Sequence, residues 1–528
     1  MKWMYLTLTM IATMGLVSSC GGSGELPEAE QSAFGIFVDS LDAAHMQERI
    51  QQLVKDDTTQ WKADKTVRKR YEEMTNFGSS PLWFTAMGMS PDADSLLATL
   101  RRELPLAGLD STAFFVPQIA SDLSIVHQLA FDSLHIDIND VLPRLDYFLS
   151  KAYVRYCAGQ RYGFMRPQQV FNKLEYKPNT EKKVFAQLFA YDVETPEYAE
   201  SVEMLSSDNR LDYLITSLPQ DAVSKALRQQ MAKTKDLKER QKLAVNMERC
   251  RWRMKRLSNA TDKHIIVNIP AQQLWAVCPD SILNMRICCG AVTNKTPLLC
   301  SEISHMQVNP DWIVPQTIVK TDFLRHAGDS AYFARNNYYI LEKSSGDTLR
   351  VADVTAEELE EGHLRIGQLG GADNSLGRIV FRFANDFGIY LHDTNNRRAF
   401  TREKRTLSHG CIRVEKPFEL ACFMLPEADE WLLDRLRISM DIPPVGDKGK
   451  KFLKEHKDDE KRPFRLLTYQ QVSPHLPLYI IYYTAYPNPE TGKVELLPDL
   501  YGYDEVIYRE IKPFCEHLSQ QNVEKRSK

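Results

Sequence analysis

The residues of this chain best suited to chemistry gather around one thiol. Ser408 to Arg413 reads SHGCIR, and nineteen residues before its cysteine a second histidine stands in the run IYLHD. A thiolate attacks a carbonyl far better than a thiol does, so a nucleophilic cysteine needs a base or a lowered pKa. His392 and His409 are the candidate bases for Cys411. His392 closes a strand-like run. Cys411 is expected just before a helix start, where the positive end of the helix dipole favours a thiolate. His409, two residues from the sulfur, is a less comfortable partner and has an equal claim to a structural role. Acyl transfer also needs donors aimed at the developing oxyanion. The amides of Gly410 and Cys411 can supply them, and so can the hydroxyl of Tyr390, which shares a strand face with His392. Arg413 suits a substrate carboxylate. The plain alternative is a half-buried cysteine with histidine neighbours.

The elements that must hold these groups are strands. From Lys263 the runs KHIIVNIPAQQLWAV, MRICCGAVTN, NNYYILEKSSGDTLRV, GRIVFRF and GIYLHD are short, β-rich and bounded by turn residues. YYILEK and DTLRV around Ser344–Gly346 predict a hairpin. One helix, PFELACFML, follows Arg413 with Pro417 in its first turn. The charged run at 446–462 predicts a solvated loop, and LPLYIIYYTAYPNPETGKVEL returns to strands. Residues 31–260 read as helical, with Leu145, Phe148, Leu149, Ala152 and Tyr156 at helical spacing. The basic helix KERQKLAVNMERCRWRMKRL closes this half, its charges expected on a solvated face. No repeat period supports a solenoid.

IYLHDTNNRRAFTREKRTLSHGCIR resembles the active-site signature of the L,D-transpeptidase family, cysteine enzymes that cross-link peptidoglycan. HIIVNIPAQQLWAV, SEISHMQVNPDWIVPQTI, QLGGADNSLGRIVFRF and YIIYYTAY…LYGYD extend the resemblance over roughly residues 240 to 510, toward the large periplasmic subgroup with a capping loop. The resemblance implies Cys411 as nucleophile and His392 as its proton acceptor and donor. It implies an oxyanion hole of Tyr390, Gly410 and the Cys411 amide, with Ser408, His409 and Arg413 completing the motif. Trp312, Asn374 and Gly377 would line or shape the groove. Gly370 stands where the subgroup usually has proline, which predicts a looser loop. The subgroup's peptidoglycan-binding module has no counterpart in SLPQDAVSKALRQQMAKTKDLKERQ. The expected reaction forms 3→3 cross-links between stem peptides through a Cys411 thioester, with loss of a terminal D-alanine. With another acceptor, the same nucleophile would make an L,D-carboxypeptidase or a protein-attachment enzyme. An idle peptidoglycan-binding scaffold is the reading of a different class.

The expected fold is α+β and multidomain. It comprises a leader at 1–19, a tether at 20–30, a helical scaffold at 31–260, a mostly β catalytic domain at 261–514 with a cap at about 309–345, and a tail at 515–528. Lys2 and the apolar run Leu6 to Val17 read as an export leader. VSSC followed by GGSGE resembles a lipoprotein cleavage site, with Cys20 acylated. That implies an anchored protein of the periplasm of a Gram-negative envelope, held by inner-leaflet or outer-membrane lipid and working near peptidoglycan synthases. The chain has 528 residues and 66 basic against 70 acidic side chains, a net charge of −4, which makes no global case for nucleic acid. Its ten cysteines form no CxxC pair and no HExxH run occurs, so neither a metal nor a cofactor is implied.

Overall fold

A computed structural model describes residues 40–79, 81–85, 87–176, 185–254, 263–457 and 464–515. The leader, Cys20, the tether, residues 458–462 of the charged run and the tail beyond Cys515 lie outside them. The chain divides into two compact units that do not follow chain order. One takes the chain as far as Arg101, then Phe115–Val154 and Val202–Leu211. The other takes Arg102–Phe114, Arg155–Ser201 and everything from Asp212.

The first unit is helical. Its helices Ala43–Asp56, Lys62–Glu72 and Val116–His127 accompany the first part of Ile138–Tyr162. Leu145, Leu149 and Ala152, one helical turn apart, are fully or almost fully buried. At its centre the Tyr71 hydroxyl donates to Asp146 Oδ1 at 2.6 Å, and Trp83 Nε1 donates to Ser150 Oγ at 2.9 Å. The other Asp146 oxygen accepts the amides of Leu82 and Trp83. Burial lifts this carboxyl to about 6, and the hydrogen bonds repay part of the cost of desolvation.

The second unit holds a sheet of ten strands, eight of which form a closed circuit among the described residues. We number these β1 (His264–Asn268), β2 (Gln273–Cys278), β3 (Ser281–Gly290), β4 (Leu298–Val308), β5 (Ile379–Phe383), β6 (Leu391–His392), β7 (Ile412–Val414) and β8 (Tyr469–Ile481). The order is β5-β6-β7-β3-β2-β1-β8-β4, and β4 pairs again with β5. Two short strands, Phe189–Ala190 and Thr406–Ser408, join β4 and β3. Closure leaves no open edge on these strands. Cys288 and Cys289, adjacent on β3, are both fully buried because the sheet is covered on both faces. Every described cysteine is free.

The basic helix differs from expectation. It runs Leu237–Arg251 and buries most of its charged end. Arg249 donates to Asp504 at 2.7 Å, and Arg251 lies 3.2 Å from the fully buried Glu248. Glu248 also accepts the Phe164 and Met165 amides. Partners spaced far along the chain, invisible to local pattern, turn a solvated-looking run into core. The charged run contains a helix, Asp447–Glu455, and a second helix, Glu430–Ser439, follows the one at Pro417. Asp434 accounts for this fold-back, since it accepts the amides of Val445 and Gly446.

The cap is larger than the segment expected at 309–345. Its four strands, Thr348–Leu349, Tyr338–Glu342, Leu364–Gln368 and Trp312–Ile313, form a separate sheet reaching Gln368. Thr348 pairs with Leu341, the expected hairpin. The cap has its own core of Val314, Val319, Phe323, Phe333, Ile340, Leu359, Leu364 and Ile366. No described helix is long and apolar enough to cross a membrane.

Candidate active site

Strand register assembles the site. Leu391 pairs with Ile412 and His392 with Arg413 in the parallel pair β6–β7, while Val380 pairs with His392 across β5–β6. Leu391 and Ile412 are fully buried on one face. His392, Arg413 and Val380 share the other, because paired residues point the same way. One step back along both strands, on that same face, stand Tyr390 and Cys411, where the Ile412 amide donates to the Tyr390 carbonyl at 2.9 Å. Cys411 is therefore diagonal to His392. Such neighbours sit about 7–8 Å apart at the backbone, within reach of an imidazole and a thiol side chain.

His392 is 4% exposed. Its Nδ1 lies 2.5 Å from the Asp393 carbonyl oxygen. A carbonyl only accepts, so Nδ1 carries the ring proton and Nε2 keeps a lone pair. Burial, then the Arg413 charge, pushes the ring down to about 3, against the carbonyls of Asp393 and Leu376. No hydrogen bond joins this ring to the Cys411 sulfur. Burial pushes the half-buried Cys411 thiol up, opposed by a backbone hydrogen bond from Tyr390 and the charges of Arg382 and Arg413. The helix-dipole expectation fails here. Cys411 leads into strand β7, and the next helix begins only at Pro417. The resting pair is a thiol beside a neutral imidazole.

The turn carrying Cys411 is stapled by Ser408. Its Oγ donates to the Cys411 carbonyl at 2.5 Å and accepts the Gly410 amide at 3.2 Å. Gly410 thus spends its N–H inside the turn and is not an oxyanion donor in this conformation, contrary to expectation. The Cys411 amide has no partner among the described residues. Gly410 adopts φ +113°, a conformation that favours glycine. Its carbonyl accepts from Thr296 Oγ1 at 2.8 Å, and Thr296 Oγ1 accepts the Gly290 amide. The Tyr501 hydroxyl donates to the Gly290 carbonyl at 2.7 Å. Sequence reasoning missed Thr296 and Tyr501, which lie over a hundred and about ninety residues away from the motif and carry no local signal.

Asn374 and Gly377 act on shape. Asn374 is fully buried and donates to the carbonyls of Gln368 and Leu369 at 3.2 and 3.0 Å, folding its loop back on the end of the last cap strand. It does not face a groove. Gly377 has φ +62°, and a Cβ there would lie 2.5 Å from Asp393 Cγ, so glycine leaves room for the Asp393 carboxylate, which accepts the Arg378 amide at 2.9 Å. Gly370 does not loosen its loop. Its amide donates to Asp311 at 2.8 Å, a bond proline lacks, and a Cβ would meet the Asn309 carbonyl at 2.3 Å. Trp312 is half-buried in the cap sheet opposite Gln368 and packs on the cap core. His409 is exposed, with Nε2 3.5 Å from Asp322 Oδ2 of the cap. Arg413 is half-buried, and its Nε has no hydrogen-bond partner among the described residues. In the basic run 397–405, Arg405 is buried against the carbonyls of Ile287 and Gln272, and Arg397 pairs with Asp393 at 3.0 Å.

Residues 262–438 match the family described as YkuD, L,D-transpeptidase catalytic domain. Residues 65–231 match the family described as Scaffold domain. A Haemophilus influenzae protein named as a candidate L,D-transpeptidase is 30% identical over 394 residues, 73% of this chain and 69% of its own length.

Proposed function

We propose, for a chain that belongs to the L,D-transpeptidase family, that it forms 3→3 cross-links between peptidoglycan stem peptides through a thioester on Cys411. The observation that supports this best is the shared sheet face of Cys411 and His392, diagonal across β6 and β7. In the first step Sγ bonds to the carbonyl carbon before the terminal D-alanine of a tetrapeptide stem. The thiol proton passes to His392 Nε2, and the C–N bond breaks as that proton reaches the departing amine. In the second step a side-chain amine of a neighbouring stem attacks the thioester, and the thiol is restored. A neutral imidazole suits this sequence, since its Nε2 lone pair is open to the thiol proton as the sulfur attacks. Because the thiol starts protonated, transfer must accompany attack. The free Cys411 amide and the Tyr390 hydroxyl serve the oxyanion, Arg413 receives a stem carboxylate, and the cap limits water at the thioester.

In this reading the leader and acylated Cys20 hold the enzyme in the periplasm, on inner-leaflet or outer-membrane lipid, beside peptidoglycan synthases. Incubation of the chain with defined tetrapeptide stems and mass analysis of the products tests the function. Cross-linked dimers with free D-alanine are expected. Trimmed monomers alone would make it a carboxypeptidase, protein-linked stems an attachment enzyme, and unchanged stems would end the catalytic reading.

A further inference from the structure

Arg382 lies on β5, in the run GRIVFRF, where strand periodicity alone gives it no role. Val380 and Phe381 pair with His392 and Leu391, so the next step sets Arg382 beside Tyr390, in line with Cys411. Three strands thus carry Arg382, Tyr390 and Cys411 across one face at one level, with His305 of β4 opposite Arg382 on the other side. The guanidinium carbon sits 3.9 Å above the centre of the Tyr390 ring, a stacking that fixes its plane. Its Nε donates to Gln307 Oε1 at 2.8 Å. Among the described residues, both terminal NH2 groups then lack a hydrogen bond and the side chain has no carboxylate partner. A half-buried, oriented cation with an open fork is a receptor for a planar anion.

We infer that Arg382 is a specificity-determining residue that binds the terminal α-carboxylate of the donor stem, the carboxylate of the amino acid that leaves. This rests on the function proposed above. A scissile carbonyl seated at Cys411 puts the departing residue's carboxylate one residue away, about 3.5 Å further along the donor. Cys411 and Arg382 stand two strand spacings of about 4.8 Å apart, but the arginine side chain reaches back over the Tyr390 ring, so a donor lying across the strands meets its terminal anion at the guanidinium. Arg413 occupies the other row, with His392, and is left for a different carboxylate of the stem. The consequence is selection: donors ending in a free carboxylate are taken, and those whose terminus is blocked or displaced by a further residue are not.

The test uses the full chain in detergent micelles with two synthetic donors, a tetrapeptide stem ending in a free carboxylate and the same stem ending in a carboxamide. Release of the fourth residue is followed as kcat/KM. The wild type is expected to prefer the free acid by about tenfold or more, the usual worth of a charge-assisted hydrogen bond. Arg382→Gln should bring the acid-to-amide ratio close to one, chiefly through KM, and Arg382→Lys should restore part of it. A fall in both rates with the ratio kept would mean that Arg382 only positions Tyr390, and would overturn the assignment. So would a ratio that collapses in Arg413→Gln instead. A wild type that releases the fourth residue from neither donor would remove the proposed function itself, a result distinct from an unchanged ratio in an active enzyme.

Discussion

At the scale of the residue, the thiol and the imidazole are both held neutral by burial. Two pH-dependent predictions follow from that state. Alkylation of Cys411 by iodoacetamide, read by peptide mass, should climb steadily above pH 9 without a step between pH 6 and 8. A preformed thiolate–imidazolium pair would instead give a plateau near neutrality. For His392 the sign is opposite to that of a salt-bridged histidine. Its folded pKa of about 3 lies below the ordinary 6.5, so the unfolded chain binds the extra proton between those values and stability falls as pH drops through that window. The loss has a limiting slope of about 1.4 kcal/mol per pH unit. Urea midpoints between pH 7 and 4 should fall less steeply in His392→Asn; equal slopes would contradict this. The motif SHGCIR and the distant histidine were legible because the chemistry needs those types. The absence of a helix dipole at Cys411 was not, since nothing local distinguishes a strand from a helix start two residues after a glycine.

At the scale of the element, β6 and β7 are two and three residues long, yet their register sets every side chain of the site. Their parallel pairing joins segments separated by a covering loop, which alternation alone cannot reveal. The cap's hairpin was readable from Ser344–Gly346. Its extent was not, because Trp312–Ile313 and Leu364–Gln368 are brought together only by the tertiary fold. The cap has a separate core around Phe323, so Phe323→Ala should cost about 3–5 kcal/mol there. Hydrogen exchange is expected to lose protection over 312–368 while β1–β4 keep theirs. Uniform loss across both sheets would show that the cap has no stability of its own.

At the scale of the whole molecule, the helical half and the β half were apparent from composition, but the boundary near 260 was not a boundary of packing. Within the second unit the β half packs on helix residues that precede 260: Arg249 pairs with Asp504, and Asn246 holds Thr484. A fragment starting at residue 262 leaves Asp504 and Thr484 without these partners. It should aggregate or show a broad, low-m urea transition, where the full chain unfolds cooperatively; a cooperative fragment would refute this. The central claim, that Cys411 carries the acyl group, has a direct measurement: the intact mass of the chain quenched after mixing with a tetrapeptide donor alone. The account predicts an adduct equal to the stem without its terminal D-alanine, mapped to Cys411 and absent from Cys411→Ala. Turnover by Cys411→Ala, or an adduct on any other residue, would contradict it.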